Sequence, residues 1–146
     1  PSILQLFGLV QAIETYLDRS VRDSGLPIDW SVSDMTNGLV EELDNSVAVS
    51  LLRIVQEAVN NAIRHAQPAM IEVVLSETQG ALLVTVSDDG CGCGEKTTGG
   101  GLGIGNMQTR ARLISARFHL GPNPQGKGTC ITLTLPAAIT EKPEEA

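Results

Sequence analysis

The stretch Met70-Ile-Glu-Val-Val-Leu-Ser-Glu-Thr-Gln-Gly80-Ala-Leu-Leu-Val-Thr-Val-Ser-Asp-Asp-Gly90 decides the fold. Residues 70–76 and 81–87 are rich in strand formers, and Gln79-Gly80 supplies a short turn between them. Val73, Val74 and Leu75, then Leu82, Leu83, Val84 and Val86, predict two buried strands. So short a link joins antiparallel neighbours, because parallel strands need a crossover. Asp88-Asp89-Gly90-Cys91-Gly92 follows the second strand directly. An aspartate at a strand end, with alternating glycines after it, can hold its carboxylate at a pocket mouth and accept a hydrogen bond from an amine. A plain Asp-Gly turn is the competing reading.

Working upstream, Pro68 ends a helix that starts near Asp44–Ser46 and runs to Ala66. Leu51, Leu52, Val55, Ala58, Val59, Ala62, Ile63 and Ala66 fall on one side of it. Glu57, Asn61 and Arg64 fall together on the other, four and three residues apart. A carboxylate beside an amide oxygen is a hard donor pair, suited to a Mg²⁺ ion that also keeps waters and substrate phosphates. An ordinary solvated face is the competing reading. His65 adjoins this stripe and could support it. Further upstream, residues 34–46 read as a loop around Asn37-Gly38. Ile28, Trp30 and Val32 alternate as in a half-buried strand. Residues 3–21 place Ile3, Leu6, Leu9, Val10, Ile13, Tyr16 and Leu17 on one helical face, and Gly25 and Pro27 end that helix.

Working downstream, residues 88–105 hold eight glycines, a density that cannot pack a core. The run Gly99-Gly-Gly-Leu102-Gly103-Ile-Gly105 leads into a helix over 107–116, whose start could lie as early as Leu102. Glycines let backbone approach phosphate closely, and a helix N-terminus adds free N–H groups. Phe118 and Leu120 mark a short strand, 121–128 a turn and 129–135 a last strand. The tail 137–146 reads as disordered. The whole predicts a two-layer α/β sandwich, with helices on one face of a mixed, mostly antiparallel sheet.

The 146 residues fit one domain, and 42% hydrophobic content suits a packed globule. A net charge of −7 disfavours nucleic acid, which needs basic side chains to neutralise its phosphates, yet leaves room for a nucleotide held by backbone N–H groups and one Mg²⁺. No signal peptide or membrane-length apolar run is visible, so a cytoplasmic domain is expected, though its parent could lie in the inner membrane. Two motifs mislead. Gly121-Pro-Asn-Pro-Gln-Gly126-Lys127-Gly128 nearly spells a P-loop but carries two prolines, a glycine in the metal-binding position and a strand after it. Cys91-Gly-Cys93 lacks CxxC spacing and a second ligand pair.

Taken in order, the motifs resemble the GHKL ATPases, the group of gyrase, heat-shock chaperone, histidine-kinase and mismatch-repair ATPases. Residues 57–66, EAVNNAIRHA, look like the histidine-kinase N box. Asp88-Asp-Gly90-Cys-Gly92 is similar to the D-x-G-x-G box, and Gly101-Leu102-Gly103 to the second glycine box. Gly126-Lys-Gly128-Thr129 is similar to the terminal strand motif. Gly101 to Met107, with Arg110-Ala111, resembles nitrate-sensor-like kinases that pair with LuxR-type regulators. Residues 1–9 look like the end of their dimerisation helices, so 1–22 is expected to be that end or the leading helix of an ATPase domain spanning 23–136.

The resemblance implies the Bergerat fold and a histidine-kinase catalytic domain using ATP and Mg²⁺. Asp88 would take the adenine amine, with Gly90 and Gly92 shaping that end and Thr129 backing it. Asn61 would bind Mg²⁺, and Glu57 would order a metal-bound water or assist transfer. Arg64 and His65 would lie near the nucleotide. Gly101, Leu102 and Gly103 would meet the phosphates from a lid. Partners would be a dimerisation domain carrying the acceptor histidine and a LuxR-type response regulator, the domain alone being monomeric and its parent a homodimer. The lid is short, and no F box lies between the glycine boxes. His65 and His119 are the only histidines, and neither lies in the first helix. A serine kinase of the anti-sigma type and a non-catalytic nucleotide-binding module are the alternatives.

Overall fold

The computed structural model describes residues 2–91 and 103–137. The element order is α1 (Ile3–Ser24), β1 (Asp29–Met35), a 3-10 turn (Leu39–Glu42), α2 (Asn45–Asn61) and a π-helical turn (Ala62–Ala66). Then follow β2 (Met70–Thr78), β3 (Ala81–Asp88), α3 (Ile104–Leu113), β4 (Arg117–Pro122) and β5 (Thr129–Leu135). The strands form one five-stranded sheet in the order β1-β2-β3-β5-β4. Only β1 and β2 run parallel, and α2 is their crossover. The other pairs are antiparallel, so the expected two-layer α/β sandwich with a mixed, mostly antiparallel sheet is what the chain forms.

The quoted stretch folds as a hairpin, but its strands are not buried on both sides. Ile71, Val73, Leu75 and Leu82, Val84, Val86 face inward, whereas Val74 and Leu83 stand half-exposed on the outer face. The period-2 pleat explains this, since only one sheet face carries helices. Register brings Val84 opposite Leu75 and Leu133, and Val86 opposite Val73 and Ile131. Leu51, Ile54, Val55 and Val59 of α2 pack on this face, together with Ile13 and Leu17 of α1 and Met107 of α3. In the inward series Leu82, Val84, Val86, the next position is Asp88. A carboxylate thus occupies a core position at the end of a central strand.

The first helix departs from its expected single face. Ser2 caps it, taking the Gln5 N–H on its hydroxyl while its own N–H donates to the Gln5 side chain. Gly8, however, adopts φ 87° and ψ 176° and breaks the helical phase. Leu9, Ile13 and Leu17 beyond the break are buried, whereas Ile3, Leu6 and Phe7 before it stay exposed. The polar segment 34–46 contains the 3-10 turn, anchored by buried Thr36, whose N–H and hydroxyl both donate to Asp34. No helix among the described residues is long and apolar enough to cross a membrane.

Candidate functional site

Asp88 organises the site. It is 7% exposed and makes no ion pair among the described residues. Burial pushes its carboxyl above the ordinary aspartate range. Hydrogen bonds from the Gly90 and Thr129 N–H groups pull it partly back, and the adjacent Asp89 charge raises it again. The Gly90 N–H donates to Asp88 Oδ1 at 2.8 Å. Neighbouring Asp89 has a different task. Its Oδ1 accepts from the N–H groups of Ala69 (2.8 Å) and Met70 (2.9 Å), latching the start of β2 to the end of β3.

Close backbone packing frames the acid. A side chain at Gly128 would overlap the Asp88 carbonyl, so only glycine lets β5 begin here and bring Thr129 alongside. The Asn123 amide donates to that same carbonyl at 2.9 Å, which makes the near-P-loop of 121–128 a structural turn, as read from its prolines. A side chain at Gly90 would overlap Ala66 at the end of the π turn, and the Cys91 N–H donates to the Ala66 carbonyl at 2.8 Å. Gly90 therefore packs against backbone.

A cleft opens above Asp88 between helices and sheet end. Ala58, Asn61, Ala62, His65 and Ala66 line it from α2 and the π turn. Val86 and Asp88 line it from β3, Ile104 and Met107 from α3, Leu120 from β4, and Thr129 and Ile131 from β5. Its walls are mostly apolar, and its buried acid has spare acceptor capacity. Such a pocket suits a flat heteroaromatic ring bearing an amine. Ala58, Ala62 and Ala66 recur every four residues and leave the space open. That stripe was visible in the sequence, but there it reads as core.

Of the sequence candidates, Asn61, His65, Asp88 and Thr129 come together in this cleft. Glu57 lines a neighbouring cavity with Tyr16, Arg53, Gln56, Asn60, Asn106 and Arg110. A side chain at Gly103 would overlap the Glu57 carboxylate, so the residue entering α3 rests on it. Arg64 is exposed and lines neither space. Gly92, Gly101 and Leu102 lie outside the described residues. Sequence reasoning missed Ile104, Met107 and Leu120 as walls, and gave Tyr16, Arg53, Asn60 and Arg110 no part in a site.

Comparison with known proteins places this geometry. Residues 46–139, more than half of the chain, match the family described as histidine kinase-, DNA gyrase B-, and HSP90-like ATPase. The chain is 31% identical over 138 residues to the oxygen sensor histidine kinase NreB of Staphylococcus carnosus, covering 93% of this chain and 38% of that protein. It is 34% identical over 143 residues to a sensor-like histidine kinase of Chloroflexus aurantiacus, covering 93% of this chain and 24% of the relative. The chain thus spans well under half of either relative. Among solved structures, the blue-light activated histidine kinase of Erythrobacter litoralis EL346 superposes with a TM-score of 0.72 at 23% identity, over 86% of this chain and 41% of that one. The catalytic domain of the histidine kinase ThkA gives 0.71 at 16% identity, over 90% and 93%.

Proposed function

The chain belongs to the histidine kinase-, DNA gyrase B- and HSP90-like ATPase family, and from that premise we propose that it is the ATP-binding catalytic domain of a sensor histidine kinase, handing the ATP γ-phosphoryl to a histidine on a separate dimerisation domain. The observation that carries the proposal is Asp88, a buried acid at the end of an apolar cleft. The kinase relatives, similar over 93% of the chain, favour this reading over an anti-sigma serine kinase or a non-catalytic module.

In this reading Asp88 accepts the adenine amine hydrogen bond, and the Gly90 N–H holds its carboxylate in place. Thr129 closes the same end, while Ile104 and Met107 cover the ring. Phosphates leave towards Asn61, Glu57 and the base of the glycine-rich segment, where Gly101, Leu102 and Gly103 meet them. Asn61 and Glu57 offer an amide and a carboxylate oxygen, and no cluster of three or more acidic, histidine or cysteine side chains competes for a metal among the described residues. That sparse set fits Mg²⁺, which keeps waters and substrate phosphates as its remaining ligands. The ion would neutralise charge developing on the transferring phosphoryl group. His65 lines the cleft, and exposed Arg64 would have to swing in to meet the phosphates. This reading also takes in an acceptor dimerisation domain, a LuxR-type response regulator and a homodimeric parent, on the likeness to the sensor kinase NreB.

Titration with ATP tests the proposal by thermal shift. Binding to the folded state alone should raise Tm progressively with ligand. The chain should take no acid-labile phosphate on its own histidines, because His65 lines the cleft wall itself and His119 lies on β4. Stoichiometric label on either would make it a self-contained kinase and overturn the proposal.

A further inference from the structure

We propose that the cavity beside the nucleotide cleft seats a carboxylate of the incoming phosphoacceptor segment, through Arg53 and Arg110. The proposal rests on the kinase reading above and names how that kinase recognises its protein substrate.

Glu57 is the ridge between the two spaces. Advancing about 100° per residue, Asn61 lies about 40° to one side of it, facing the nucleotide cleft, which His65 of the π turn also lines. Arg53 and Asn60 lie about 40° and 60° to the other, facing the second cavity. The opposite helix divides likewise: Ile104 and Met107 of α3 line the first space, Asn106 and Arg110 the second. The second cavity shares the Glu57 ridge with the cleft, so an acceptor side chain reaching the Asn61 end of the cleft can enter from this side.

The cavity's charge suits an anion other than the nucleotide. The chain carries −7 overall, yet two arginines face this one space. Neither guanidinium has a carboxylate partner among the described residues, although Glu57 lies only one turn from Arg53. Arg53 stands eight residues, about 12 Å of helix, beyond Asn61, and Arg110 six residues, about 9 Å, beyond Ile104. That offset sets both apart from the Asn61 end of the polar stripe. The Tyr16 hydroxyl donates to Asn60 Oδ1 at 2.7 Å, which turns the Asn60 amide N–H₂ outward as a further donor. An arginine pair with amide donors matches a carboxylate, the fork geometry giving paired hydrogen bonds.

The test uses the ¹⁵N-labelled chain, saturated with Mg²⁺ and a non-hydrolysable ATP analogue, and two synthetic helical peptides. Each carries one histidine, followed by Glu in the first and Lys in the second. The Glu peptide should shift the Nε resonances of Arg53 and Arg110, and the Lys peptide should leave them unmoved. The R53Q/R110Q variant should lose at least fivefold in affinity for the Glu peptide and keep its nucleotide affinity within twofold. If the nucleotide alone shifts both resonances and the variant loses nucleotide affinity, the arginines serve the γ-phosphate and the proposal falls. Equal response to both peptides, or to neither, also overturns it. Failure to take up the nucleotide at all overturns the kinase reading, and the acceptor seat with it.

Discussion

The two spaces flanking Glu57 differ in how they would select a ligand. The cleft over Asp88 is walled mostly by alanine, isoleucine, leucine, methionine and valine, with Asn61, His65 and Thr129 among them, and holds one buried acid. Its neighbour has two arginines, three amide side chains and a tyrosine, all partly or fully exposed. In the first, specificity comes from shape plus a single hydrogen bond made in a dry setting, where loss of that bond is costly. In the second, charge acts at a wet surface, where each contact contributes little and partners exchange readily. One helix, α2, serves both because its polar stripe is split by a ridge.

The largest effect is expected at the dry end. Asp88→Asn replaces an acceptor with an amide that can point N–H₂ at the adenine amine. ATP affinity should fall roughly tenfold to a hundredfold, the equivalent of about 1–3 kcal/mol. An unchanged ATP-dependent thermal shift would remove the acid from the binding role. Next comes Gly128→Val, which forces a side chain into the Asp88 carbonyl. Overpacking of this kind costs about 1–3 kcal/mol, read by urea unfolding, and ATP affinity should drop with it.

The pH dependence sharpens the contrast. Asp88 has a raised folded carboxyl, so native protein holds its proton to higher pH than unfolded chain. Its contribution to stability is therefore most favourable in acid and is lost as pH rises through the folded value. ATP binding runs the opposite way: the accepting carboxylate must be ionised, so affinity weakens as pH falls through that same raised value. Paired thermal melts with and without ATP should show these opposed trends, and parallel trends would break the link between burial and recognition. Tyr16→Phe, at the wet end, should cost about 1 kcal/mol or less by losing one hydrogen bond to Asn60. Its ATP affinity should stay unchanged by calorimetry.

The dry end was also the more legible in the sequence. β5 was readable to its boundaries because Thr129–Leu135 alternates cleanly and Pro136 ends it. Asp88, Asn61 and Thr129 stood out because their motifs lie at strand ends or share a helix face. The wet end was not legible, since Tyr16, Arg53 and Arg110 belong to three elements and only tertiary packing makes them neighbours. The ridge shows the same limit: Arg64 shares Glu57's stripe but sits in the π turn, where the helical phase changes. Gly8 was hidden because apolar spacing continues across it, and helical periodicity says nothing about one residue with positive φ.

The π turn at Ala62–Ala66 has one more consequence. A π turn is an α-helix with a residue too many, held where the extra length is useful. The turn takes up that extra residue locally, so the chain after it keeps its register instead of rotating by the roughly 100° that an insertion into a regular helix would impose. Asn61 thus keeps its helical face while Ala66 presents its carbonyl to Cys91 and its backbone to Gly90. Related chains with one residue fewer across these five positions should wind as an ordinary α-helix there and keep both the Asn61 face and the contact with the glycine box.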